Sequence, residues 1–214
     1  MNYELAYRIG FHPWEDAERQ PAFGKRLAAL VSREERASPP YGAALDLGTG
    51  SGIWAIWLAQ RGWQVTAMDV SQLALERARG AAAKAGAEIA NRITWLHQDV
   101  LTWNDAGAQF DLVSAQYLHF TRDNVEVHRR LATLVRPGGS LLIVGQHPSH
   151  IQGDQHHESA LNHKDLLFEP EAAAAALDPA EWQVQLAAII ERQPSSAHRQ
   201  SGVMKDTVLL ARRS

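Results

Sequence analysis

Three glycines at alternate positions, Gly48, Gly50 and Gly52, follow an acid, Asp46, that closes a short apolar run, and an apolar helical pattern begins directly after them. Glycine reaches positive φ without steric cost and, lacking a Cβ, lets a ligand lie against backbone N–H groups. Strand, glycine turn and helix N-terminus is how α/β proteins hold nucleotide-like ligands at the carboxyl end of a strand. No Lys or Arg occurs from Ala37 to Gln60. The turn therefore brings no cation for a phosphate, and its acid suits a ligand that carries positive charge. A second acid, Asp69, with Val70 beside it, closes the next apolar run about 20 residues on, where a carboxylate can accept both hydroxyls of a ribose. A third, Asp99, follows the next run. It can accept from an adenine amino group while its neighbour Val100 covers the ring. One Asp at a strand end is commonly a turn residue; three in succession around one glycine turn make a constellation. A dinucleotide fingerprint would want its third glycine at position 53, which is Ile53, so the spacing disfavours NAD.

Further groups with usable chemistry follow the fourth apolar run: Gln116, Tyr117 and His119. His119 titrates near neutrality and could act as a general base, or could simply cap or pack a helix. His147, His150, His156, His157 and His163 crowd a polar stretch, but their irregular spacing does not make a metal site, and none is expected. His147 and His150 come closest after a strand and could form a pocket wall. Trp54 and Trp57 lie three apart on the first helix after the turn, so Trp54 is expected near the ligand and Trp57 in the core. Trp95 and Trp182 read as core, while Trp103 could border the ligand. Tyr3, Tyr7, Phe11 and Trp14 form an aromatic N-terminal patch that could either close over a site or pack on the domain.

These groups need elements to position them. Residues 1–36 read as helices, broken at His12-Pro13, and Ser38-Pro39-Pro40-Tyr41-Gly42 is a breaker cluster. Residues 1–42 are thus expected as an N-terminal helical cap and 43–214 as the main domain. Strand and helix patterns then alternate: strands at 43–47, 64–68, 92–97, 110–115 and 140–145, and helices at 52–61, 71–85 and 124–135. Ser71 is a good N-cap, and Pro137-Gly138-Gly139 is a turn feeding the fifth strand. Short apolar strands separated by helices imply parallel pairing with right-handed crossovers, covered on both faces. A short Ala-rich helix at 169–177 and strands at 183–190 and 206–211 close the chain, the last two as a hairpin at the sheet edge.

The 214 residues suit one domain of ordinary size. The formal net charge of −3 and a pI near 6.4 do not point to nucleic acid or an anionic membrane. With no cysteine, disulfides, thiolate nucleophiles and Cys-based zinc sites are excluded. No apolar stretch approaches a membrane span, and the first 20 residues lack a signal-peptide core, so a cytoplasmic location is expected.

The strings LDLGTGSG, VTAMDVS, HQDV, FDLVSAQYLHF and RPGGSLLIVG together resemble the class I S-adenosylmethionine-dependent methyltransferases over residues 43–146. Among these, the chain looks most similar to bacterial small-molecule enzymes of the tellurite-resistance and thiopurine methyltransferase kind. The resemblance implies a Rossmann-like, doubly wound α/β fold with a seven-stranded mixed sheet in the order 3214576, strand 7 antiparallel. It implies S-adenosylmethionine as cofactor, with Gly48, Thr49, Gly50 and Gly52 at its methionine portion and Asp46 near its ammonium. It places Asp69 and Val70 at the ribose, Asp99 and Val100 at the adenine, and Trp54 and Gln116 along the site. His119, Tyr117 and His147 are its candidates for catalysis beside a small-molecule methyl acceptor. Nucleic-acid and membrane partners are not expected, and the chain would work as a monomer or homodimer. The strings leave open methylation of protein or nucleic acid, or cofactor binding without methyl transfer.

Overall fold

A computed structural model describes residues 42–118, 124–149, 168–192 and 204–214. In chain order these form β1 (Ala43–Leu47), α1 (Ile53–Gln60), β2 (Gln64–Asp69), α2 (Gln72–Ala85), α3 (Ala87–Ala90) and β3 (Ile93–His97). Then come β4 (Phe110–Gln116), α4 (Asn124–Thr133), β5 (Val135–Gln146), α5 (Pro170–Ala175), β6 (Trp182–Arg192) and β7 (Met204–Arg213). The expected helical cap over 1–42 lies outside the described residues apart from Gly42.

The strands make one seven-stranded sheet in the order β3-β2-β1-β4-β5-β7-β6. The β1–β2, β1–β4, β2–β3 and β4–β5 pairs are parallel, while β7 runs antiparallel to both of its neighbours. This is the order and orientation that the family resemblance implies. The chain winds outward from β1 to β3 and then restarts at β4 on the other side of β1. That reversal opens a crevice at the carboxyl ends of β1 and β4, the usual binding place in such sheets.

Alternate residues along each central strand enter opposite core layers, as the period of a strand requires. Leu45, Leu47, Leu141 and Ile143 pack with Val127 and Leu131 of α4 and Ala173 of α5. Ala44, Val65, Leu142 and Val144 pack with Ala55 and Leu58 of α1 and Ala82 of α2. Apolar residues on both faces explain why the strands read as continuous apolar runs.

The element bounds mostly fall within two residues of the sequence reading, helix α3 is additional to it, and the largest difference is at β5. The helix at 124–135 ends at Thr133, and β5 starts at Val135, not Ser140. Val135 pairs with Phe110, and the register then jumps so that Ser140 pairs with Leu112. The Pro-Gly-Gly stretch is thus an irregular part of the strand, with Gly138 at φ 77°. Trp57 is not a plain core residue either. It stacks on Trp54 with ring centroids 4.5 Å apart, and the Arg61 guanidinium lies 3.5 Å from its ring. Among the described residues, no helix is long and apolar enough to cross a membrane.

Candidate functional site

The site is built on the turn after β1. Gly48, Gly50 and Gly52 have φ of 64°, 54° and 77°, so all three lie in the left-handed region that glycine tolerates best. Two of them are also sterically confined. A Cβ on Gly48 would sit 2.6 Å from Leu118 Cδ1, and one on Gly52 would sit 2.8 Å from Ala78 Cβ and 2.9 Å from the Trp95 ring. The turn is fastened to β2 by Thr49 N–H donating to Met68 O at 3.0 Å, and to α1 by Ile56 N–H donating to Gly52 O at 2.8 Å.

Two of the expected acids meet at this turn. Asp46 is 2% exposed, and its Oδ2 accepts from Thr49 Oγ1 at 2.6 Å. Burial pushes its pKa up from an ordinary 3.8 to about 7; the Thr49 hydrogen bond opposes that rise, and the nearby Asp69 charge adds to it. Asp69 is buried and bridges two elements: Oδ2 accepts from Gly50 N–H at 2.9 Å, and Oδ1 from Ser71 N–H at 2.8 Å. Ser71 in turn caps α2 by accepting from Ala74 N–H at 3.2 Å.

Asp99 stands apart from that pair on an exposed turn. Its Oδ1 accepts from Leu101 N–H at 2.9 Å, while its carbonyl accepts from the N–H groups of Thr102 and Trp103. Val100 is buried in the core layer beside α4, whereas Val70 is 47% exposed. The apolar surface that this rim offers to solvent therefore includes Val70. His97 Nε2 sits 3.0 Å from Val70 O and fixes the chain there.

At the end of β4, Gln116 Nε2 donates to Ser114 Oγ at 3.3 Å. Tyr117 has φ 52°, a left-handed backbone for a bulky residue. Its N–H donates to Val144 O at 2.7 Å. Strain of that kind, held in place by surrounding structure, concentrates at functional positions. The turn it makes brings Leu118 onto Gly48, so the β4 exit and the glycine turn face one another. His119 and His150 lie outside the described residues, as do His156, His157 and His163.

His147 is buried just past β5, a strand separated from β1 by β4. Its Nδ1 accepts from Ser149 N–H at 3.1 Å and lies 2.8 Å from Ser149 Oγ, and its Nε2 lies 2.7 Å from Glu169 Oε2. The Ser149 N–H makes Nδ1 the acceptor, so Nε2 carries the proton toward Glu169. Uptake of a substrate proton at Nδ1 would require giving up the Ser149 bonds. Trp54 lies in the first turn of α1, and its Nε1–H is buried without a hydrogen-bond partner among the described residues. Glu169, Ser149 and the Thr49–Asp46 bond were not signalled by any motif. Among the described residues no group of three or more His, Cys, Asp or Glu is placed to hold a metal ion.

The sheet order, the glycine turn and the acid pair beside it define a class, and residues 44–139 match the methyltransferase domain family. Together with the sheet order, that match makes this part of the chain similar to the class I S-adenosylmethionine-dependent methyltransferases. It is 41% identical over 101 residues to an uncharacterized methyltransferase of Mycobacterium tuberculosis, a match covering 47% of this chain and 48% of that one. It is 37% identical over 98 residues to a ubiquinone biosynthesis O-methyltransferase of Stutzerimonas stutzeri, covering 45% and 41% of the two chains. The match thus spans about half the length of these curated relatives or less. The magnesium protoporphyrin IX methyltransferase of Synechocystis PCC 6803 with bound SAM shares the fold, with a TM-score of 0.65 and 18% identity over 92% of this chain and 80% of that one.

Proposed function

We propose that this chain transfers the methyl group of S-adenosylmethionine to a small-molecule acceptor. The observation that carries the reading is the joined pair of buried acids: Asp46 under the glycine turn, and Asp69 tied to that turn through Gly50 N–H. The residues present fit the cofactor. Its ammonium would find Asp46, its ribose hydroxyls Asp69, and its carboxylate the backbone N–H groups of the turn at the start of α1. Asp99, with Val70 exposed nearby, would take the adenine. When bound, the cofactor supplies a methyl group on a sulfonium, ready for in-line displacement.

The protein's share is approach, alignment and exclusion of water. Tyr117 and Gln116 would orient the two reactants where β4 faces the glycine turn. His119 would accept a proton where the acceptor carries one. His147, held by Glu169 and Ser149, would keep α5 against the end of β5 as an ordered wall. Support for a small acceptor comes from the O-methyltransferase relative and from a net charge of −3, which does not favour nucleic acid. The same reading places the chain in the cytoplasm as a monomer or homodimer.

Isothermal titration with S-adenosylhomocysteine tests the cofactor, with NAD as competitor. A folded chain that shows no binding at millimolar ligand refutes the reading. Incubation with methyl-labelled cofactor and a panel of thiols, amines and phenols then tests transfer. Binding without label in any acceptor would favour a binding protein over an enzyme.

A further inference from the structure

The loop between β3 and β4 carries Asp99 and is held together largely by short-range bonds. Asp99 closes its first turn. Asn104 Oδ1 accepts from Ala106 N–H at 3.2 Å, and Asp105 Oδ1 accepts from Gly107 N–H at 2.7 Å. Ala106 and Gly107 both have positive φ, of 49° and 81°. A loop of this kind, with exposed turns and left-handed backbone, has little local stability of its own. One long side chain reaches it from another element. Arg130 of α4 donates through Nη2 to Trp103 O at 3.1 Å and pairs with Asp105 Oδ2 at 2.5 Å. Its Nη1 donates to Thr133 Oγ1 at 3.3 Å, while Thr133 Oγ1 donates to Arg130 O at 2.8 Å, so the guanidinium is braced from its own helix. The pair is partly shielded, with side-chain exposures of 29% and 17%. The Gly107 N–H and the Arg130 guanidinium hold the Asp105 carboxyl below the usual carboxylate range.

We infer that Arg130 is a positioning residue for cofactor recognition: by clamping Trp103 and Asp105 to α4 it fixes the loop so that Asp99 meets the adenine amino group. This rests on the proposed cofactor site. Asp99 spends Oδ1 on Leu101 N–H, which leaves Oδ2 as acceptor for the base. A carboxylate discriminates for a donor only when held in place, because a loose one turns to water at little cost. Helix α4 also follows directly on the chain that leaves the β4 exit. The clamp therefore ties the adenine side of the crevice to the next described element after β4.

The test compares S-adenosylhomocysteine with its hypoxanthine analogue, which presents a carbonyl where adenine presents its amino group. Titrations are run on the unmodified chain, Arg130→Gln, Asp105→Asn and the double variant, each checked for an unchanged thermal midpoint. Asp105→Asn keeps an oxygen for Gly107 N–H and removes only the charge. The unmodified chain should prefer S-adenosylhomocysteine over the analogue by at least about 10-fold. Each single variant should bind S-adenosylhomocysteine about 5- to 10-fold more weakly, nearly lose the preference, and be no better than the double variant. Amide exchange over residues 99–108 should quicken in the same variants. If both ligands weaken equally and the preference survives, Arg130 has a purely structural role and the inference is overturned. Unchanged affinity and preference overturn it as well. If the unmodified chain binds neither ligand, the parent reading falls and takes this inference with it; binding by the unmodified chain with indifferent variants sinks the inference alone.

Discussion

Asp46→Asn should make the empty protein more stable at pH 7 and above and its cofactor binding weaker, and pH separates the two effects. In the unfolded chain the Asp46 carboxyl titrates near 3.8; in the folded chain burial raises it to about 7. Between those values the folded state holds a proton that the unfolded state has released. Stability therefore falls as pH rises through this window, by about 1.4 kcal/mol per unit, and levels off above about 7. The whole shift corresponds to about 4 kcal/mol. Asparagine cannot ionise, so the variant lacks this slope. Its amide keeps an oxygen for Thr49 but buries an N–H₂ that costs about 1–3 kcal/mol if unpaired, and that cost does not vary with pH. The stability difference between variant and parent should therefore move in favour of the variant by about 3 kcal/mol from pH 5 to pH 8. In a domain of this size that is roughly 6–12 °C in Tm. Urea unfolding at the two pH values measures it directly. Over the same substitution, S-adenosylhomocysteine affinity at pH 8 should fall by about 10- to 100-fold, the worth of a hydrogen bond to a charged group. Parallel pH profiles for the two proteins, or tighter ligand binding by the variant, would refute the assignment of a buried carboxyl held for a cationic partner.

Thr49→Val removes the donor that lowers the Asp46 pKa. Ligand binding should then need a higher pH, and affinity at pH 7 should drop by about 3- to 10-fold; a titration series from pH 6 to 9 shows it. Gly52→Ala places a Cβ against Ala78 and Trp95 at φ 77°. It should cost about 2–4 kcal/mol, from left-handed strain plus overpacking, read by thermal unfolding. Ser71→Ala deletes the α2 cap beside Asp69 and should cost about 1 kcal/mol with a smaller loss of ligand affinity than Asp46→Asn.

Much of the fold lay open in the sequence because its strands are apolar on both faces and its turns carry glycine. The alternation of Leu45 and Leu47 with Ala44, and the Asp-Gly-Gly-Gly spacing, are local patterns, and local patterns survive into structure. The start of β5 was misplaced because Pro-Gly-Gly reads as a turn, while pairing of Val135 with Phe110 extends the strand through it. The acids at 46 and 69 were legible as strand-end carboxylates. Their coupling through Thr49 and Gly50 was not, since it depends on left-handed backbone at Gly48 and Gly50. His147 drew notice as one of many histidines, but its partner Glu169 lies 22 residues away, and no spacing rule joins them. Arg130 and Asp105 were invisible for the same reason. Val100 and Val70 are equally apolar in sequence, and only burial tells which one lies open at the rim.

Because β7 sits between β5 and β6 in the sheet, the molecule cannot be completed in the order in which it is made. During synthesis β6 leaves the ribosome with no neighbour to pair with, and the outer backbone of β5 from Ser140 to Gln146 stays open until Met204–Arg213 arrives. At about 5–20 residues per second that interval is short. A chain stalled or cut between Arg192 and Met204 would prolong it indefinitely. Such a fragment keeps the glycine turn and the parallel half of the sheet but presents a long, apolar, unprotected edge, a template for capturing a strand from another copy. The same geometry makes the last strand replaceable: a peptide of residues 204–213 added in trans should fill the slot and restore solubility to the truncated chain.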